Sequence, residues 1–167
     1  MAVRRRAASL KAIRLLVLDV DGVMTDGRLY YGASGERHKV FHVRDGVGIK
    51  ALARAGIGVA VISGRRSAAV SRRCAELGVR ELHQGVEDKA AAFASLIARL
   101  HLATGDCACL GDDTPDVPLM RRVGLAIAVA DAHPEARRAA HRRTRLPGGR
   151  GAVREVCDWL LAARTRR

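Results

Sequence analysis

The chain has 167 residues, 49% of them hydrophobic but only 3% aromatic, so it can bury one aliphatic core and a single domain is the default. No apolar run approaches the ~18 residues that a membrane span requires, and the amino end lacks the apolar stretch of a secretory leader; a cytoplasmic protein is expected. The net charge of +13 is confined to the ends: residues 1–14 carry five basic and no acidic residues, residues 137–167 carry ten basic and two acidic, and the middle is neutral.

In chain order, residues 1–12 read as a flexible basic arm, residues 13–164 as the one domain and residues 165–167 as a short tail. Residues 13–18 form a first strand, aliphatic and without alternation, as buried parallel strands are. A β-hairpin follows, with Leu29–Tyr31 and Lys39–Val43 flanking a Gly-Ala-Ser-Gly turn. It is too small to be a lid, and its exposed edge could pair with another subunit. Helix Gly48–Arg54 leads to a buried strand Ile57–Ile62. Helix 67–77 is stopped by Gly78, and Val79–Leu82 is a short strand. Glu87–Leu102 is amphipathic, with Ala91, Ala94, Ile97, Ala98 and Leu102 at helical spacing. Strand Cys107–Leu110 ends in Gly-Asp-Asp, and Thr114-Pro115 opens a helix as N-cap and first-turn proline. Strand Leu125–Val129 and helix Pro134–Ala140 follow. Gly148–Gly151 is a flexible break before a terminal helix Ala152–Arg164, which has Val153, Val156, Leu160 and Leu161 on one face. This alternation defines an α/β fold, a doubly wound parallel sheet with a small β-hairpin inserted after the first strand.

The four cysteines form no CxxC pair, which favours reduced buried thiols over zinc. The basic ends suit phosphate-binding arms, so a non-catalytic nucleic-acid-binding or scaffold protein is one alternative. Against it, stacking aromatics are nearly absent, no DNA- or RNA-binding signature is present, and 26 of the 30 basic residues are Arg. An anionic substrate or an acidic oligomer surface accounts for such ends as well.

Polar residues gather where strands end. Asp19 and Asp21 follow the first strand, Ser63 the second, and Asp112, Asp113 and Asp116 the fourth; Lys89, one of only four lysines, opens a helix. Any one of these positions suits a cap or turn. Together they occupy one rim, where open α/β sheets bind ligands. The chemistry fits phosphoryl transfer. Carboxylates without His or Cys favour Mg²⁺, and a cation, a lysine and a hydroxyl can spread the charge of a phosphoryl group. One aspartate can act as nucleophile, and a second carboxyl can protonate the leaving oxygen and then activate water.

DVDGVMT from Asp19, ISGR from Ile62, Lys89 and GDDTPD from Gly111 resemble the four motifs of the haloacid dehalogenase superfamily. The resemblance narrows to one capless family, the 3-deoxy-D-manno-octulosonate 8-phosphate phosphatases of lipopolysaccharide sugar synthesis. It is carried by DVDGVMTDG (19–27), FHVRDGVGIK (41–50), ISGR (62–65), HQG (83–85), GDD (111–113), VGLAIAVADAHP (123–134) and GGRGAVREVCD (148–158). It covers about residues 13–164.

The resemblance implies that Asp19 is nucleophile and Mg²⁺ ligand. Asp21 would be the general acid/base and lend its backbone carbonyl to the metal. Asp112 would be the third ligand, and Asp116 would orient metal-bound water. Ser63 and Lys89 would hold the phosphoryl oxygens. Substrate contacts, besides Asp21 and Lys89, would come from His42, Val43, Arg44, Asp45, Gly46, Lys50, Arg65 and Arg73; a guanidinium such as Arg44 suits the sugar acid's carboxylate. The family is homotetrameric, so the hairpin would build the subunit interface and help close a neighbour's site. The Gly-rich tail would act as a mobile gate. His42, Val47, Ser63 and His83 depart from the family's usual residues, which leaves a nine-carbon sialic-type acid 9-phosphate as the alternative substrate. No membrane partner is expected.

Overall fold

The computed structural model describes residues 7–165. Six parallel strands form the central sheet: β1 (Leu15–Leu18), β4 (Gly58–Ser63), β5 (Glu81–Gln84), β6 (Cys107–Gly111), β7 (Leu125–Ala128) and the two-residue β8 (Arg142–Arg143). Their order is β5-β4-β1-β6-β7-β8. The chain therefore winds one way from β1 to β5 and the other way from β6 to β8, and the reversal falls between β1 and β6. Leu15 is in register with Gly58 on one side and Cys107 on the other. All four side chains of β1 are buried, as its unbroken aliphatic run requires. A separate two-stranded sheet pairs β2 (Tyr30–Gly32) with β3 (Gly35–His38).

The helices are α1 (Val43–Arg54), α2 (Ala68–Leu77), α3 (Lys89–Arg99), α4 (Val117–Met120), α5 (Pro134–Ala139) and α6 (Ala152–Thr165). Helix α2 ends as its sequence dictates: Gly78 takes φ +73° and its N–H returns to the last carbonyls, a left-handed cap that favours glycine. Among the described residues, no helix is long and apolar enough to cross a membrane.

The structure departs from the sequence reading in several places. The second hairpin strand is Gly35–His38, not Lys39–Val43, and Val43 already belongs to α1. Gly46 and Gly48 argue against a helix by propensity. Packing decides otherwise: a Cβ on Gly46 would lie 2.5 Å from Arg73 Nη2, and one on Gly48 3.0 Å from Cys157 Cβ. Their bareness lets α1 lie close against α6 and Arg73. The buried stripe of α3 is Ala90, Phe93, Leu96 and Ile97, whereas Ala91, Ala94 and Ala98 face solvent. Alanine is equally at home on either face, so Phe93 was the better guide. Asp113, not Thr114, caps the turn after β6.

Two segments expected to be loose are held. Of the basic arm, residues 1–6 lie outside the described residues, but Ala8 N–H donates to the Gly124 carbonyl at 2.8 Å and Leu10–Ala12 forms a 3-10 turn. Residues 166–167 of the tail also lie outside the described residues. The Gly-rich break is a wedge: Gly149 N–H donates to the Val23 carbonyl at 2.9 Å, and Gly148 N–H to Asp131 Oδ1 at 3.0 Å. A Cβ on Gly148 would sit 1.7 Å from the Gly22 carbonyl oxygen. Glu155, buried in the first turn of α6, ties down the preceding loop by accepting from Arg145 and Leu146 N–H at about 3.0 Å. The four cysteines are free and buried, and burial pushes Cys157 up to about 12, which leaves it a packing residue.

Candidate active site

The reversal between β1 and β6 puts Asp19, one residue beyond β1, beside Asp112, one residue beyond β6. Asp19, Asp112 and Asp116 each offer a carboxylate oxygen within 4.8 Å of the others, and this trio holds oxygen donors alone. Gly22 makes the approach possible. At φ +92°, its hydrogen faces Asp112, and a Cβ there would lie 2.1 Å from Asp112 Oδ2. Gly111 does the same for Asp116, whose Cβ would be 2.7 Å from a Cβ on that glycine. Asp116 is fixed at the end of its 3-10 turn, where Oδ2 accepts from the N–H groups of Asp112 (2.9 Å) and Asp113 (3.3 Å).

Lys89, the first residue of α3, reaches in from the side. Its Nζ donates to Asp19 Oδ1 and to Asp116 Oδ1, each at 2.7 Å. Asp88 anchors this end of α3 by accepting from Ala90 and Ala91 N–H, a cap worth about 1 kcal/mol. Burial alone would lower the Lys89 pKa. The two aspartates outweigh it and hold the ammonium above the usual lysine range. Burial and Asp116 raise Asp19 to about 6 against the pull of Lys89. Burial, Asp19 and Asp116 together raise Asp112 to about 8. One ammonium is too little charge for three crowded carboxylates. A divalent cation fits here on donor chemistry, on spacing and on the unrelieved repulsion.

Ser63 ends β4 on the same rim, buried, its Oγ accepting from Arg65 N–H at 3.3 Å. The Asp21 side chain is outside the carboxylate trio. Its Oδ1 accepts from Lys39 Nζ, and its Oδ2 lies 3.8 Å from Arg65 Nε. Arg65 also donates to Tyr31 Oη at 3.0 Å and Glu36 Oε2 at 3.2 Å. The hairpin therefore folds back onto the site of its own chain.

The other expected substrate residues sit elsewhere. His42 and Arg44 line a hollow of about 610 Å³ with Arg145, Arg150, Arg154 and Trp159, and its lining includes none of Asp19, Ser63, Lys89 or Asp112. Val43 is 72% exposed. Asp45 is buried against α6 and accepts from Arg154 N–H at 2.9 Å; burial raises its pKa despite that bond. Gly46 abuts Arg73, which lies over the Phe41 ring at 6.0 Å and pairs with Glu76. Lys50 is exposed on α1. Among the described residues, none of residues 42–50 nor Arg73 makes a hydrogen bond or ion pair with Asp19, Lys89, Asp112 or Asp116.

Sequence reasoning missed Glu36, Lys39 and Tyr31. Its one available signal was that Lys39 is among only four lysines; the misplaced second hairpin strand hid it.

Sheet order and site define a class. A model of haloacid dehalogenase-like hydrolases matches residues 81–147, the stretch that holds Lys89, Asp112 and Asp116. Relatives then narrow it. The 3-deoxy-D-manno-octulosonate 8-phosphate phosphatase KdsC of Escherichia coli K12 is 51% identical over 156 residues, covering 93% of this chain and 83% of that protein. The crystal structure of the Yersinia pestis enzyme of that name is 50% identical, with a TM-score of 0.91 over 93% of this chain and 84% of that one. The Moraxella catarrhalis enzyme, solved with a magnesium ion, a phosphate ion and KDO, is 42% identical, with a TM-score of 0.90 over 92% of this chain and 88% of that one. The chain belongs to the 3-deoxy-D-manno-octulosonate 8-phosphate phosphatase family, and it is a phosphoric monoester hydrolase.

Proposed function

We propose that this phosphatase hydrolyses 3-deoxy-D-manno-octulosonate 8-phosphate to the free sugar acid and phosphate, in lipopolysaccharide sugar synthesis, with Mg²⁺ as cofactor. The observation that carries the reading is the meeting of Asp19, Asp112, Asp116 and Lys89 at the sheet's reversal, in a chain about half identical to enzymes of that name.

Asp19, Asp112 and the Asp21 carbonyl would hold the Mg²⁺, with Asp116 steadying the Asp112 loop and the metal's water. The ion supplies positive charge that offsets the phosphoryl oxygens' charge and keeps Asp19 ionised. A carboxylate oxygen of Asp19 attacks phosphorus, forming an aspartyl phosphate as the bond from phosphorus to the sugar oxygen breaks. Asp21 gives its proton to that oxygen and then takes one from the water that cleaves the aspartyl phosphate. Ser63 and Lys89 would hold the phosphoryl oxygens, Lys89 from its place on Asp19 and Asp116. Arg65 sits beside Asp21, where it would meet the leaving sugar.

The separation of residues 42–50 from the carboxylates supports a site completed by a second subunit. In a homotetramer, His42, Arg44 and Lys50 of one chain would read the sugar acid held by another. Exposed Tyr31, Val43 and Val47 on the hairpin and α1 offer that assembly an apolar contact. Four buried thiols without a disulfide support a cytoplasmic setting.

The test is phosphate release with Mg²⁺ from the eight-carbon acid 8-phosphate, nine-carbon acid 9-phosphates and a hexose phosphate. Preference for the first is expected, lost in excess chelator and restored by Mg²⁺. Preference for a nine-carbon acid would keep the chemistry and replace the substrate. No release from any would overturn the function.

A further inference from the structure

The geometry points to Lys39 as a positioning residue that fixes Asp21 for proton transfer and, through Glu36, makes the hairpin part of the catalytic apparatus. The inference rests on the phosphatase reading and adds to it a residue outside the four motifs.

Lys39 follows β3 directly, and its side chain is 1% exposed. A buried ammonium needs partners. Lys39 has two: it donates to Asp21 Oδ1, and it lies 3.0 Å from Glu36 Oε2. Glu36 is held in turn, its Oε1 accepting from Ser67 Oγ at 2.8 Å and its Oε2 from Arg65 Nη2 at 3.2 Å. An unbroken line of bonds thus runs from the start of α2 through the hairpin to the proton carrier.

The line leaves the two oxygens of Asp21 unlike. Oδ1 is taken up by Lys39. The nearest guanidinium nitrogen to Oδ2 is 3.8 Å away, beyond a good hydrogen bond. Oδ2 is therefore the oxygen free to exchange a proton with substrate. A carboxylate on a short side chain otherwise swings between rotamers, and misplacement by about 1 Å costs roughly 100-fold in rate. Lys39 removes that freedom. It meets neither Asp19 nor the trio, so its loss need not disturb the nucleophile.

The test uses leaving groups. A good leaving group departs without a proton and a poor one does not, so damage to the proton carrier falls on the poor one. Phenyl phosphate and 4-nitrophenyl phosphate have nearly the same size and lack the sugar acid, so contacts to that acid do not enter. Their kcat/KM values report steps up to phosphoryl transfer. In Lys39→Met, kcat/KM for phenyl phosphate should fall by about 10-fold to 100-fold, and that for 4-nitrophenyl phosphate by no more than about threefold. Glu36→Gln, which keeps Lys39 but loosens its anchor, should show the same selectivity to a smaller degree, and it serves if Lys39→Met folds poorly. Equal losses on both esters would mean a structural or phosphate-binding role and overturn the proposal, as would unchanged values on both. No turnover of either ester by the unaltered chain would overturn the phosphatase reading itself.

Discussion

At the scale of single residues, the site is a contest among carboxylates. Asp19 at about 6 and Asp112 at about 8 both lie above the ordinary aspartate value near 4. The sign of the consequence follows. Between the unfolded and folded pKa values the folded protein binds more protons, so without metal its stability falls as pH rises through that window. A cation that binds the ionised pair must displace those protons. Metal-free protein should lose thermal stability from about pH 4 to about pH 8, and Mg²⁺ should restore it most at the alkaline end. Titration calorimetry near pH 7 in buffers of different ionisation enthalpy should show proton release on Mg²⁺ binding. Heats independent of buffer would mean that the carboxylates are already ionised, and the account of their crowding would fail. These aspartates were legible in the sequence because strand ends are easily found from short aliphatic runs. Lys39 was not, since nothing in a hairpin's pattern says that one lysine turns inward.

At the scale of elements, glycines set the distances. Gly22 is part of DVDG, where a sharp turn is the obvious reason for it. The structure adds a second, because its bare α-carbon is where Asp112 comes to rest. Gly22→Ala would force Asp112 aside and strain a positive φ. The expected result is a folded chain that loses at least about 100-fold in turnover, with Mg²⁺ affinity lowered in parallel. Wild-type affinity in that variant would show that Asp112 does not need this approach. The sequence was misleading where glycine meant contact and was read as freedom. Gly46 was assigned to the loop before a helix, and Gly148–Gly151 to a hinge, although both are points where backbone or side chains press together. Propensity describes an isolated segment; close packing between α1 and α6 overrides it. Alternation of strand and helix survived these errors because it depends on core burial over many residues, so the doubly wound sheet was readable throughout.

At the scale of the whole molecule, His42 and Arg44, proposed to read the sugar acid, line a hollow that includes none of Asp19, Lys89 or Asp112, proposed to handle the phosphoryl group. Asp19→Asn alone should remove turnover, and Arg44→Ala alone should weaken it by raising KM. If sites are shared between neighbours, co-refolding equal amounts of the two variants should restore activity toward about a quarter of wild type, since one site in four combines an intact Asp19 with an intact neighbouring Arg44. Light scattering of the same samples should give a tetramer's mass. Activity no greater than the mean of the two variants would place Arg44 in service of its own chain or of none.

The Gly148–Gly149 wedge against the loop after β1 has a consequence in time. The loop after β1 is made well before the segment that supports it. A nascent chain still short of residue 149 has nothing to donate to the Val23 carbonyl or to brace Gly22. During synthesis the loop that bears Asp19 therefore lacks this support until residue 149 has been made. A chain short of that point should hold magnesium and phosphate poorly, and the Gly148–Gly149 wedge acts as the keystone that ends this latency.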